Sequence, residues 1–169
     1  MTKKLDINTP HKEIPINIGD ESMATWFQVP YQSIVTRRET NQCNRALHKH
    51  DFIELVIILN GQGTHIIEDA HHSVQAGDTF VVAPNIQHAY ADTNNLGLFN
   101  ILIRNQYLQT LNHEYISMPG FYALFLLEPR MRAMHQFKSQ LQLSPQALAE
   151  IGDWINCLEV EAQQTTPLA

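Results

Sequence analysis

The sequence predicts an all-β barrel or sandwich followed by a pair of α-helices, and three observations carry that reading. Between Trp26 and about Leu127, short apolar runs rich in Val, Ile and Phe alternate with turn residues. After Pro129 the apolar spacing changes from that of strands to that of helices. At 169 residues and 44% hydrophobic content the chain suits one core rather than two, so barrel and helices form one domain with appendages.

Residues 1–20 mix Lys3, Lys4, Pro10, Pro15 and Gly19 with little periodicity and read as a flexible N-terminal arm. Residues 21–128 form the barrel. Its strand-length runs are Ser33 to Thr36, Phe52 to Leu59, Thr64 to Ile67, Thr79 to Ala83, Leu98 to Ile103 and Tyr122 to Leu127. Turn residues at Asn60-Gly61, Glu68-Asp69-Ala70, Ala76-Gly77-Asp78, Pro84-Asn85 and Asn94-Asn95 punctuate them as in an antiparallel meander.

A helical segment follows over residues 129–163. It runs first through Met131, Met134 and Phe137, then through Leu148, Ile151, Trp154, Ile155 and Leu158. Ser144-Pro145 starts the second helix, because serine caps free N–H groups and proline at the first helical position loses no hydrogen bond. The second stripe is either a helix packed on its own barrel or half of a dimer interface; partial use in a dimer is favoured, since a large tryptophan and an amphipathic face at a domain edge suit both. Residues 164–169 read as a disordered tail.

Charge and cysteine content narrow the function. Eleven Lys and Arg against seventeen Asp and Glu give a formal net charge of −6, and the basic residues are scattered. This chain is therefore not built to grip nucleic-acid phosphates by itself. Cys43 and Cys157 lie far apart with no metal-type spacing and read as reduced thiols. No segment approaches the roughly 20 apolar residues of a membrane span. A soluble, cytoplasmic protein without a membrane partner is expected.

The chemistry concentrates between residues 48 and 88. His48, His50, Glu54 and His88 supply three imidazoles and a carboxylate, a donor set suited to a divalent metal ion such as zinc, nickel, manganese or iron. On a straight strand His48 and Glu54 would stand roughly 20 Å apart at about 3.3 Å per residue. The chain must therefore reverse between them, and Asp51-Phe52 is where it can. No residue stands out as a catalytic acid or base, so none is assigned.

The spacing His48-x-His50-x3-Glu54-x6-Gly61, with Gly77, Pro84 and His88 later, resembles the two motifs of the cupin family. The resemblance implies an all-β cupin barrel, that is, a double-stranded β-helix or jelly roll, with His48, His50, Glu54 and His88 as metal ligands. The chain departs from the pattern at Gln42, Asn85 and Asp92, where the family favours glycine, glycine and asparagine. Asn85 can supply the same left-handed turn.

A narrower resemblance spans about Ser33 to Glu161 through His48-x-His50-Asp51-Phe52-x-Glu54-Leu55, Gly77-Asp78-x-Phe80, Asn100-Ile101 and Pro119-Gly120-Phe121. It is to the N-terminal domain of AraC-family transcription regulators, nearest in character to the rhamnose-responsive ones. The resemblance implies a sensing domain for a small effector, a sugar being the leading class, which forms a homodimer through its helices. DNA would be met only through a C-terminal domain of about 100 further residues that this chain does not include.

His48, His50, Glu54 and His88 are thus expected either on a metal or around the effector itself, with Tyr90 and Arg38 as additional hydrogen-bonding residues of the effector site. The alternative function is a metal-dependent cupin enzyme, an isomerase or dioxygenase. Phe52, Val56, Phe80, Val82, Tyr90, Phe99 and Ile101 read as core, and His65, His71, His72, His113 and His135 as exposed polar residues.

Overall fold

The computed structural model describes residues 19–27, 32–111, 115, 117–133 and 141–164. Eight strands and four helical segments build it. The strands are β1 (Gly19–Glu21), β2 (Ile34–Glu39), β3 (Arg45–His50), β4 (Ile53–Ile67), β5 (Ala70–Gln75), β6 (Asp78–Val82), β7 (His88–Ile103) and β8 (Leu141–Gln142). A short α1 (Met23–Trp26) follows β1 and α2 (Asn105–Thr110) follows β7. Next, α3 runs from 119 to 133, and α4 (Pro145–Gln164) closes the described chain.

Two long strands organise everything else. β4 and β7 pair antiparallel along their whole lengths, from Ile53↔Ile103 to Ile67↔His88. The first half of β4 also pairs with β6 (Glu54↔Val82), and its second half with β5 (Ile67↔Ala70). β7 likewise pairs with β3 through His48↔His88 and with β2 from Ile34↔Ile103 to Glu39↔Leu98. The two long strands therefore belong to two sheets at once, which close around a common interior. This is the double-stranded β-helix of the cupin fold.

The bend between the two sheets falls where the sequence suggested two separate turns. Asn60-Gly61 and Asn94-Asn95 do not reverse the chain; they face one another inside β4 and β7, where the ladder slips register three times between Ile58 and Thr64. Gly61 takes φ +75°, and a Cβ there would lie 2.0 Å from the Asn95 carbonyl oxygen, so only glycine fits. The bulges also switch which residues face inward. Val56 and Ile58 point inward before the bend, whereas His65 does so after it.

The near-continuous apolar run of β4 follows from burial on both faces. Val56 and Ile58 join Val74, Phe80, Val82, Tyr90, Leu96 and Leu98 inside. Ile57 and Phe99 lie outside under Ile155 of α4, and Ile53, Val81 and Ile103 lie outside under Leu124 and Phe125 of α3.

Tyr122 to Leu127 is not a strand. It is a π-helical stretch (Tyr122–Leu127) joined to an α turn at Pro119–Phe121 and an α-helical end at Glu128–Ala133. A continuous apolar run of this length fits a strand and a packed helix equally well, so the pattern could not separate them. The helical region accordingly begins before Pro129. Glu128, almost fully buried, accepts a hydrogen bond from the Val81 N–H and fastens α3 to the edge of β6.

The second helix starts as expected, with Ser144 Oγ accepting from the Ala147 N–H at 3.1 Å. Its stripe divides: Leu148, Ile151 and Ile155 pack on the barrel, while Trp154 and Leu158 are exposed. Met134, Phe137, His113 and His135 lie outside the described residues, as do 1–18 and 165–169. Where the arm is described, β1 adds to β3 in parallel, with Gly19 opposite His48 and Glu21 opposite His50.

Candidate functional site

The local chain conformation explains why three distant side chains meet. β3 ends at His50 and β4 begins at Ile53, so the reversal falls on Asp51-Phe52. It carries the chain from one sheet to the other, which places Glu54 across the interior from the β3 histidines rather than beside them on a ladder. The Pro84-Asn85 turn is tied to the same corner, because Asn85 donates its N–H to the His50 carbonyl at 2.7 Å. Asn85 adopts φ 64°, the left-handed turn that a glycine would otherwise supply. His88 then opens β7 directly opposite His48.

Each histidine is oriented in the same way. Nδ1 of His48 lies 3.0 Å from the Ala46 carbonyl oxygen, Nδ1 of His50 2.7 Å from that of Phe52, and Nδ1 of His88 3.2 Å from that of Ile86. A carbonyl only accepts, so each Nδ1 carries the proton and each Nε2 is left for other chemistry. This carbonyl-to-imidazole arrangement is the support that metal-ligating histidines use.

The free ends converge on Glu54. His50 Nε2 and His88 Nε2 stand 3.4 and 3.5 Å from Glu54 Oε2, and the ligand atoms of His50, Glu54 and His88 all lie within 4.8 Å of one another. Those separations are long for hydrogen bonds. They suit the edges of a coordination sphere, because ligand atoms each at roughly 2.1 Å from one ion lie about 3.0 to 3.4 Å apart. The donor set and its spacing therefore fit a divalent cation.

His48 is adjacent but not part of that triplet, its ring lying 4.1 Å from the His88 ring. Burial, reinforced by the nearby charges of His88 and Arg45, pushes the His48 imidazole down to about 3, so it stays neutral at ordinary pH. Burial alone would raise Glu54, but the facing imidazoles of His50 and His88 outweigh it. The carboxyl is held well below the usual carboxylate range. The centre thus sets a buried carboxylate beside the Nε2 atoms of two buried imidazoles.

Residues 30–162 match the family model described as AraC-like ligand binding domain. This chain belongs to that family. The HTH-type transcriptional activator RhaR of Escherichia coli strain K12 is 34% identical over 145 residues, covering 85% of this chain and 47% of that protein. Its Shigella dysenteriae counterpart is 33% identical over 125 residues, 73% of this chain and 40% of that one. The chain spans about half the length of these curated relatives. A solved cupin protein from Bacteroides fragilis superposes with a TM-score of 0.39 at 19% identity, over 51% of this chain and 75% of that one.

Within this AraC-like ligand-binding domain, the other expected site residues separate. Tyr90 lies in the interior, its ring 5.1 Å from that of His65. Arg38 does not face inward. Its guanidinium lies over the outward-facing Phe99 ring and bonds both carboxylate oxygens of Glu159 and the Asn156 side chain, tying β2 to α4.

Two interior residues escaped sequence reasoning. His65 is fully buried, stacked on Phe80 at 4.5 Å and 5.8 Å from the His88 ring; it is not exposed as expected. Only the parity switch at the β4 bend could have revealed this. His71 is exposed and His72 is half-buried opposite His65. Asn100 faces inward as the cross-strand partner of Val56, in a stretch whose apolar character hid it.

Proposed function

We propose that this domain senses a small polar effector for an AraC-type transcription regulator, with a divalent metal held by His50, Glu54 and His88 and with His48 beside it. The observation that carries the reading is the common anchoring of three Nδ1 atoms on backbone carbonyls, which frees Nε2 atoms beside a buried carboxylate. Zinc, nickel, manganese and iron all accept such donors. When bound, the ion supplies a Lewis-acidic anchor for an oxygen of the effector.

Similarity to proteins named as HTH-type transcriptional activators supports a regulatory role and a DNA-binding partner region; a cytoplasmic location and a sugar as the leading effector class belong to the same proposal. A homodimer through the exposed face of α4 is part of the same proposal. Signalling then requires that the effector bind two conformations unequally.

Calorimetry on metal-loaded protein, with a panel of neutral hexoses, pentoses and their aldonic acids, tests the sensing role. Saturable heat with at least one member is expected, and uniform silence overturns the proposal. The metal triplet also supports a second reading, a metal-dependent isomerase or dioxygenase. Elemental analysis of untagged protein tests its first requirement: no bound ion and no uptake of added ion remove it.

A further inference from the structure

Asn100 is a polar residue in a place that apolar packing would fill at less cost. It stands mid-strand in β7 with Val56 on one side and Arg37 on the other, so its backbone belongs to two ladders. The next residues on its inward face are Leu98 and Leu102, both buried, and Val56 opposite is fully buried. Yet Asn100 Oδ1 is buried and takes no hydrogen bond among the described residues. An unmet buried polar atom costs stability, because it has given up its water without gaining a partner. Residues with no packing reason to be polar and no bonding partner point to a ligand.

Residual exposure says where that ligand would sit. Val56, Ile58, Phe80, Val82 and Leu98 are 0% accessible, whereas Asn100 keeps 9%, Glu54 8% and His48 6%. Asn100, Glu54 and His48 thus keep slightly more exposure than those apolar residues, while His65 and His88 are buried as fully as they are. Glu54 pairs with Leu102 and Val56 with Asn100, which makes Glu54 and Asn100 diagonal neighbours on one inner face. Diagonal neighbours on paired strands lie roughly 7–8 Å apart at the backbone. A small molecule anchored at Glu54 would reach Asn100 within a few bonds.

We infer that Asn100 is the specificity residue of the interior site, its side-chain oxygen accepting a hydrogen bond from a hydroxyl or amine of the ligand. The ligand class follows: a small hydroxylated molecule with a metal-coordinating oxygen at one end and a hydrogen-bond donor a few bonds away, as in a polyol or hydroxy acid. The inference rests on the proposed effector role of the His50, Glu54 and His88 centre. It adds the second point of contact, the one that distinguishes ligands sharing a coordinating group.

The test compares wild type with Asn100→Leu and Asn100→Ser. Three readouts are taken: melting temperature of the ligand-free protein, uptake of Ni2+ alone, and binding of the monosaccharide and aldonic acid panel to the metal-loaded protein. For Asn100→Leu the expected results are a melting temperature raised by a few degrees, Ni2+ uptake within about twofold of wild type, and at least tenfold weaker binding of whichever panel member wild type binds. Asn100→Ser, shorter but polar, loses the same ligand affinity.

Wild-type ligand affinity retained in Asn100→Leu overturns the inference while leaving the effector role standing. A lowered melting temperature in both variants assigns Asn100 to the fold and also overturns it. Silence of the whole panel on wild type removes the effector role and this inference together.

Discussion

The His50 imidazole lies flat on the Phe52 ring, with centroids 4.2 Å apart and planes within 5°, while its Nδ1 bonds the Phe52 carbonyl 2.7 Å away. One residue thus fixes both the plane and the tautomer of a metal-type donor. Phe52 in turn meets Phe27 edge-on at 6.0 Å, and the Arg104 guanidinium lies 4.6 Å from the Phe27 ring centroid. The segment after β1 is therefore part of the packing that supports the centre.

Replacing Phe52 with leucine keeps an apolar group in place but removes the flat support for His50. The fold should lose about 1–2 kcal/mol, less than truncation of a buried aromatic to alanine. Ni2+ affinity should fall by roughly tenfold, as for loss of a supporting contact to a ligand. Denaturant unfolding and metal calorimetry measure the two effects, and unchanged affinity would show that the carbonyl alone orients the ring.

Glu54→Gln removes the anion while conserving shape. Metal uptake should drop by at least about tenfold, since the remaining donors are neutral imidazoles. Equilibrium dialysis against Zn2+ or Ni2+ gives the answer, and retained uptake would move the ion away from Glu54.

Acid should destabilise the metal-free protein. The folded pKa of His48 is depressed to about 3 from an ordinary value of 6.5, so between those values the unfolded chain binds the proton that the folded one excludes. Stability from this group is complete above about pH 6.5 and declines toward pH 3, with a slope of at most about 1.4 kcal/mol per pH unit. Glu54, also depressed, adds loss of the same sign below its ordinary range. Urea unfolding at a series of pH values reads this slope, and a flat profile from neutral pH to about pH 4 contradicts it.

The α4 stripe should respond in two distinct ways. Trp154 is 71% exposed, whereas Ile155 is 2% exposed beneath Ile57 and Phe99. Trp154→Glu is expected to abolish self-association with stability within about 0.5 kcal/mol of wild type. Ile155→Glu should lower stability by several kcal/mol, because it buries an unpaired charge. Sedimentation velocity alongside thermal melts separates the cases, and a Trp154→Glu protein that still associates would place the interface elsewhere.

Arg38→Ala removes the clamp between β2 and α4. Both partners are about one-third exposed, so a cost of about 0.5–1 kcal/mol is expected despite the paired contacts to Glu159. Faster amide exchange around Asn156 and Glu159, with Ni2+ uptake the same as in wild type, is the accompanying signature.

The legible and illegible parts of this site differ in how far they depend on unbroken periodicity. The reversal between His50 and Glu54 could be read from spacing because strand length forces it at Asp51-Phe52, and the chain does turn there. The Ser144 cap was equally local. His65 was not legible, since its inward orientation depends on bulges whose register is set by β7, nearly thirty residues later. Arg38 was misplaced because nothing local distinguishes a strand residue facing the cavity from one facing a helix over a hundred residues downstream. Tyr122 to Leu127 failed differently, since its apolar run carries no period that favours strand over helix.

The switch of parity within β4 constrains how this protein can diverge. Residues between Ile58 and His65 other than Gly61 can be exchanged while the barrel keeps its interior, but the number of residues there cannot drift by one. A single deletion would turn His65 toward solvent and bring Ile66 against Phe80, exchanging a polar lining for an apolar one. Chain length at the bend is thus itself a determinant of which side chains line the interior, and a new lining would be reached there by substitution.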